Sequence, residues 1–137
     1  MSKIFERWRT DDVRCQVFAK GERNKGNAFV EYEIVTEQFT EDAKGKSDLE
    51  IADIEVASSL RQTIKFQNGH FKDVGINGHL MDAFLAICAD RLQGFAAGPF
   101  SCQENFDMFD LIKRAIDKSD ERFTKRQKRG VANKYEK

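Results

Sequence analysis

An α+β fold is predicted for this chain: an N-terminal antiparallel β-sheet with a short helix, then a C-terminal antiparallel αα-hairpin that mediates oligomerisation. Three observations carry the expectation. Apolar and polar residues alternate at period two in the first half of the 137 residues. From Asn77 onward apolar residues recur at three- and four-residue steps. The one proline, Pro99, follows Gly98 and splits that helical half in two. The expected division is a β-rich region over 1–76 and a helical hairpin with a basic tail over 77–137.

The elements follow in order. VRCQVF (Val13 to Phe18) and AFVEYEIV (Ala28 to Val35) read as strands, and GERNKGN between them supplies two glycines for a hairpin loop. Residues 36–48 are acidic and turn-rich, a connection. DLEIADIEVASSLRQTI then sets Ile51, Ile54, Ala57 or Ser58, and Leu60 at helical spacing, which predicts a short helix. Asn68-Gly69 lies between two alternating segments and predicts a second hairpin, because both residues tolerate positive φ.

In the helical half, Met81, Phe84, Leu85, Cys88, Leu92 and Phe95 form one amphipathic stripe ending near Phe95 or Ala96. Ser101-Cys102-Gln103-Glu104 has the form of a capping box and predicts the next helix start. That helix carries the stripe Asn105, Phe109, Ile112, Ile116 and Phe123, with Gly130 as its stop. The connection AAGPFS is too short for anything but antiparallel packing. Two helices alone leave parts of Phe84, Phe95, Phe106, Phe109 and Phe123 uncovered, so that surface needs the sheet or other copies of the chain.

Composition narrows the function classes. Hydrophobic residues make up 40% and charged residues 34%, with 12 phenylalanines, enough apolar mass for a core and too much for a disordered tail. No apolar run approaches the roughly 18 residues that span a bilayer, and MSKIFERWRTDD lacks the apolar stretch of a secretion signal, so a cytoplasmic protein without membrane contact is expected. Cys15, Cys88 and Cys102 form an odd set without CxxC spacing, and only His70 and His79 add nitrogen ligands; neither a disulfide framework nor a metal site is indicated.

Net charge is zero but unevenly spread. Residues 31–55 hold nine acids against Lys44 and Lys46, whereas residues 113–137 hold ten Lys and Arg against four acids, densest in RFTKRQKR from Arg122 to Arg129. Such a run is either a solvated helix face or an anion site. There is no phosphate-binding loop, dinucleotide glycine pattern, nucleophile elbow or HExxH motif, and each histidine stands alone. The acidic pairs Asp42 with Asp48 and Asp107 with Asp110 have a spacing common in any chain this acidic. Without an acid, base, nucleophile or metal set, no enzyme and no cofactor is expected.

One stretch goes further. FQNG, then KDVGING, DRLQGF, GPFSCQEN and the terminal Arg122-x-x-x-Arg126-x-x-Arg129-Gly130-Val131 cover roughly residues 63–131. This string resembles the helical-hairpin domain shared by phage Thoeris anti-defence proteins and their anti-CBASS relatives. The resemblance implies a non-enzymatic sponge that forms dimers or hexamers and sequesters cyclic nucleotide immune signals in the infected bacterial host, with the β-region helping to enclose the ligand. Such sequences usually read C-R-E-N where this one has Cys102-Gln103-Glu104-Asn105. By motif position the resemblance implies ligand contacts from Phe95, Asn105, Arg122 and Arg126.

Those residue types suit the task. A cyclic nucleotide offers phosphates, purines and ribose edges. Arginine meets phosphate with a planar fork of donors, a phenylalanine face stacks on a base, and an amide reads a purine edge. Phe95 and Asn105 flank one loop, but Arg122 is 17 residues beyond Asn105, about 25 Å along a helix. A second copy is therefore expected to complete the site. The alternatives are a basic-helix module for nucleic acid and a purely structural oligomerising phage protein.

Overall fold

The computed structural model describes residues 1–130. Val131 and the charged residues after it, counted above with the basic tail, lie outside the described residues. The chain divides into two compact units, Met1–Phe66 and the part from Gln67 on. The first holds an antiparallel sheet and the second the long helices, the α+β class expected.

The sheet unit is a four-stranded meander in the order β1 (Ser2–Thr10), β2 (Val13–Lys20), β3 (Glu31–Phe39), β4 (Val56–Lys65), with α1 (Asp48–Ala52) between β3 and β4. The expected hairpin of Val13 to Phe18 with Ala28 to Val35 is the β2–β3 pair, which runs in unbroken register from Val13 opposite Gln38 to Lys20 opposite Glu31. Strand β1 had no sequence signal of its own. Its pairing with β2 shifts register between Lys3 and Phe5 and again between Trp8 and Thr10, and each bulge breaks the period-two pattern.

The helix expected from Ile51 through Leu60 is corrected here. Only Asp48–Ala52 is helical, closed by a capping box in which Ser47 and Glu50 bond each other's backbone amides, and Val56–Lys65 is a strand. The spacing of Ile51, Ile54 and Leu60 matches a helix, but β3 offers a full ladder of partners from Phe39 opposite Val56 to Glu31 opposite Lys65. Pairing overrides local periodicity over a segment this rich in Val, Ser and Thr.

The core of this unit is Phe39, Ala43, Ile51 and Ile54, with Trp8 packed beside it. The loop after β3 is pinned to the β1–β2 turn: Phe39 donates its amide to the Asp12 carbonyl at 2.8 Å and Ala43 donates to Asp11 at 2.7 Å. Asp12 in turn accepts from the Thr10 hydroxyl and the Gln38 amide, which hold its carboxyl below the usual carboxylate range.

The second unit opens on a knot of amide contacts. Gln67 donates from its backbone to the His79 carbonyl at 3.0 Å, and the Asn77 side chain bridges both backbone groups of Asn68. The hairpin expected at Asn68-Gly69 does not form. Gly69 has the positive φ that Asn-Gly suits, at 95°, but the chain runs on into the short helix α2 (Phe71–Val74), capped by the His70 ring accepting from the Lys72 amide. A Cβ on Gly69 would come within 3.1 Å of Val74, so the turn is closed by packing on that helix and not by a second strand.

Two helices follow, α3 (Met81–Ala97) and α4 (Gln103–Lys128). Gly98-Pro99 stops the first, and Gly130, at φ 71°, follows the end of the second, as the spacing predicts. The capping box expected at Ser101 is absent. The N-cap is Cys102, one residue later, without a side-chain bond, and this places Asn105 at the third helical position with its amide on the Phe100 carbonyl at 3.0 Å. The Ser119 hydroxyl donates to Asp82, so the first turn of α3 lies beside the later half of α4. No described helix is long and apolar enough to cross a membrane.

Candidate functional site

The faces that α3 and α4 leave to solvent place the residues of interest. On α4 the half-buried positions are Asn105, Phe109, Ile112, Ile116, Ser119 and Arg126, close to the apolar stripe read from the sequence except that Phe123 is 42% exposed. None of the 26 residues of α4 is fully buried. Phe106, Met108 and Leu111 are about half exposed or more, at 50%, 49% and 61%.

On α3 the packed face is rotated from the expected stripe. Ala89 and Leu92 are buried, Leu85 and Ala96 are half-buried, and Met81, Cys88 and Phe95 are exposed. The small side chains Ala89 and Ala96 explain the rotation, since they allow close helix approach where Cys88 and Phe95 would hold it off.

Phe95 therefore stands on the outside of the helix, 41% exposed, in the last turn of α3. The Arg91 guanidinium lies over its ring at 5.4 Å from the centroid, a cation–π contact from one turn earlier. Sequence reasoning passed over Arg91, although the four-residue step from it to Phe95 in DRLQGF was a usable signal. Asn105 sits on the other side of the same loop, and its amide nitrogen ties down that loop through Phe100.

Arg122 and Arg126 lie near the far end of α4, where Lys118, Glu121, Arg122, Lys125, Arg126 and Arg129 line an open depression of about 570 Å³. Five cations there meet one carboxylate. Glu121 is gripped by Lys125 and Lys118, each at 3.0 Å, and their hydrogen bonds pull its pKa down to about 2. That carboxylate is consumed by the two lysines. Among the described residues Arg122 and Arg129 have no carboxylate within ion-pair range. An exposed helix face holding uncompensated guanidinium groups attracts polyanions or phosphate esters.

A single chain does not bring the four residues together. Phe95 and Asn105 flank the α3–α4 loop, while the Ser119–Asp82 contact sets Arg122 and Arg126 at the opposite end of the helix pair. Three of the remaining sequence candidates have local partners. His79 presents its ring edgewise to Phe84, Asp107 accepts from Gln103 at 2.8 Å, and Asp110 pairs with Arg114 at 2.6 Å.

No family model matches this chain. It is 32% identical over 75 residues to the protein named Thoeris anti-defense 1 of Bacillus phage SBSphiJ7. The similarity supports a relationship to the Thoeris anti-defence proteins. The match takes in 55% of this chain and 53% of that phage protein, so it spans about half the length of the relative.

The sheet unit has a cavity of its own, about 460 Å³, lined by Arg14, Gln16, Phe18, Glu37 and Phe39 among others. Its guanidinium is occupied. Arg14 is 9% exposed, meets Glu37 at 3.1 Å and Glu6 at 3.6 Å, and lies over the rings of Trp8 and Phe39. Charge is balanced internally in that cavity and left open on α4.

Proposed function

We propose that this chain is a phage anti-defence protein that binds a cyclic nucleotide immune signal and sequesters it uncleaved, in a site completed by a second copy. The signal is a cyclic ADP-ribose isomer of Thoeris or a cyclic oligonucleotide of CBASS. The observation that carries this reading is one face of α4. Counting about 100° per residue, Glu104, Met108, Leu111, Ala115, Lys118 and Arg122 share a face beside the one packed on α3, apolar in its first half and basic in its second.

That face is complementary to itself. About a two-fold axis level with Lys113, Leu111 of one copy meets Ala115 of the other, the Lys118 stem covers Met108, and Arg122 faces the first-turn Glu104. The antiparallel arrangement carries the basic strip of one copy to the Phe95 and Asn105 end of its neighbour. An aromatic face, a carboxamide and two guanidinium groups then surround one ligand.

The demand on such a sponge is quantitative. To outcompete an immune effector it needs nanomolar binding, about −12 kcal/mol. A stacked base contributes on the order of 1–3 kcal/mol, and the rest falls to charge-assisted bonds in an interface that excludes water. Turnover plays no part in this task.

The test is a panel of cyclic ADP-ribose isomers and cyclic di- and trinucleotides, read as a rise in melting temperature with ligand linkage. One ligand should raise it by several degrees and return chemically intact after the complex is heated. Recovery of a linear product would refute sequestration.

A second reading rests on the same five cations: a nucleic-acid module that lays the strip from Lys118 to Arg129 on phosphates. Its affinity would fall steeply with salt, without preference for cyclic ligands over linear oligonucleotides.

A further inference from the structure

We infer that Arg91 is a ligand-contacting, specificity-determining cation of the proposed site, holding Phe95 in place and supplying the fork for the phosphate attached to the base that stacks there. The inference rests on the cyclic-nucleotide reading and adds to it a residue outside the four that the motif positions indicate.

Arg91 and Phe95 are one helical turn apart on the exposed flank of α3, off the face formed by Leu85, Ala89, Leu92 and Ala96. Their contact does not serve the packing of α3 on α4. Arg7, over the Phe5 ring at 5.1 Å on β1 of the sheet unit, is likewise exposed and without an ion pair or hydrogen bond among the described residues, but the arginines in the remaining cation–π contacts have different company. Arg14 is buried and paired with two carboxylates, and Arg23 donates to the Asn27 carbonyl at 3.0 Å while lying over Phe29. Among the described residues Arg91 has no ion pair and no hydrogen bond, only the ring. Its charge is exposed and uncompensated beside an aromatic surface, at the end of the helix pair where the site is proposed.

The geometry assigns a division of labour. A guanidinium over one face of Phe95 leaves the opposite face for a single planar base. Stacking occupies the π surface of the guanidinium but not its N–H donors, which point outward in its plane. Those donors suit a phosphate one ribose away from the stacked base. The ligand class is a nucleoside phosphate unit, base and phosphate recognised together, within the cyclic molecule. Lysine would keep the charge but lose both the stack and the fork, so Arg91→Lys is not a neutral exchange.

The experiment uses the full chain and two probes, cyclic ADP-ribose and cyclic triadenylate, with affinities measured by calorimetry at several salt concentrations. For whichever probe binds, Arg91→Ala should weaken affinity about ten- to a hundredfold and lower the slope of log affinity against log salt by about one. Arg91→Lys should lose about tenfold and keep the slope. Mass in solution, by light scattering, should match the unaltered protein for both variants, because Arg91 lies off the packed face.

A purely structural role would not move the salt slope. If the unaltered protein binds a probe and both variants bind it within twofold, with unchanged slope, the assignment of Arg91 is overturned and the sponge reading stands. If the unaltered protein binds neither these probes nor any member of the wider cyclic panel, the sponge reading falls and this inference with it.

Discussion

The two units handle charge and apolar surface in opposite ways. In the sheet unit nearly every long side chain on one face is matched: Arg14 with Glu37 and Glu6, Lys20 with Glu31 and Glu33, Arg61 with Glu33, Lys65 with Glu31. Phe39, Ala43, Ile51 and Ile54 close into a core, while Ile4, Leu49 and Leu60 stay exposed. In the helical unit α4 buries nothing fully, keeps Phe106 and Leu111 exposed, and, while Arg114 pairs with Asp110, leaves Arg122 without a carboxylate among the described residues. The sheet unit pairs most of the charges on that face within itself, although the buried Arg14 Nε has no hydrogen-bond partner among the described residues. The helical unit leaves apolar and charged groups exposed, and on the proposed reading that surface is where a second copy and a ligand belong.

The largest effect should come from breaking the proposed association. Leu111→Glu puts a carboxylate beside the two-fold axis, against Ala115 of the second copy and the apolar strip around it, and sedimentation should report a monomer that has lost ligand binding altogether. If the variant assembles and binds like the unaltered protein, the α4 face is not the interface. Next comes the contrast within the site. Phe95→Ala and Arg122→Ala should each weaken binding about a hundredfold while leaving the ligand-free melting temperature within a degree or two, since both side chains are exposed.

The sheet unit should answer the other way. Ile51→Ala removes a buried side chain from the core and should destabilise the fold by about 2–5 kcal/mol in urea titration. The effect of Asn105→Ala should be intermediate: loss of the bond to Phe100 costs about 1 kcal/mol of stability, and any larger loss in ligand affinity measures the carboxamide's own contact.

The smallest effect concerns pH. Glu121 has its pKa lowered from 4.5 to about 2 by its two lysines, so its contribution is complete above pH 4.5 and disappears as pH falls through about 2. An NMR titration of that carboxyl should show it still ionised at pH 4. A midpoint near 4.5 would mean the lysines are free of it and available to a ligand.

Parts of this were legible without coordinates. Strands β2 and β3 were legible because their residues alternate between faces, Val13, Cys15 and Val17 with Ile34 and Tyr32 on one and Arg14 and Gln16 with Glu33 and Glu37 on the other. Helix α4 shows its stripe because one side rests on α3. Strand β1 was not legible, since two bulges shift its residues between faces. Ser47-x-x-Glu50 forms the capping box that Ser101-x-x-Glu104 does not, although the motif is the same, because the second helix begins one residue later. Of the site residues, all four candidates came from motif positions. That Phe95 lies outside the packed face, and that Arg91 covers it, came from the fold.

Periodicity, turn residues and charge runs decided the class of fold, the two long helices and the concentration of cations at the end of the chain. They act within a few residues of one another, so a linear string records them. Tertiary structure alone decided that Val56–Lys65 joins a sheet and that two alanines set which side of α3 packs. Those outcomes depend on which surfaces compete for a partner, and that competition is settled between segments far apart in the chain.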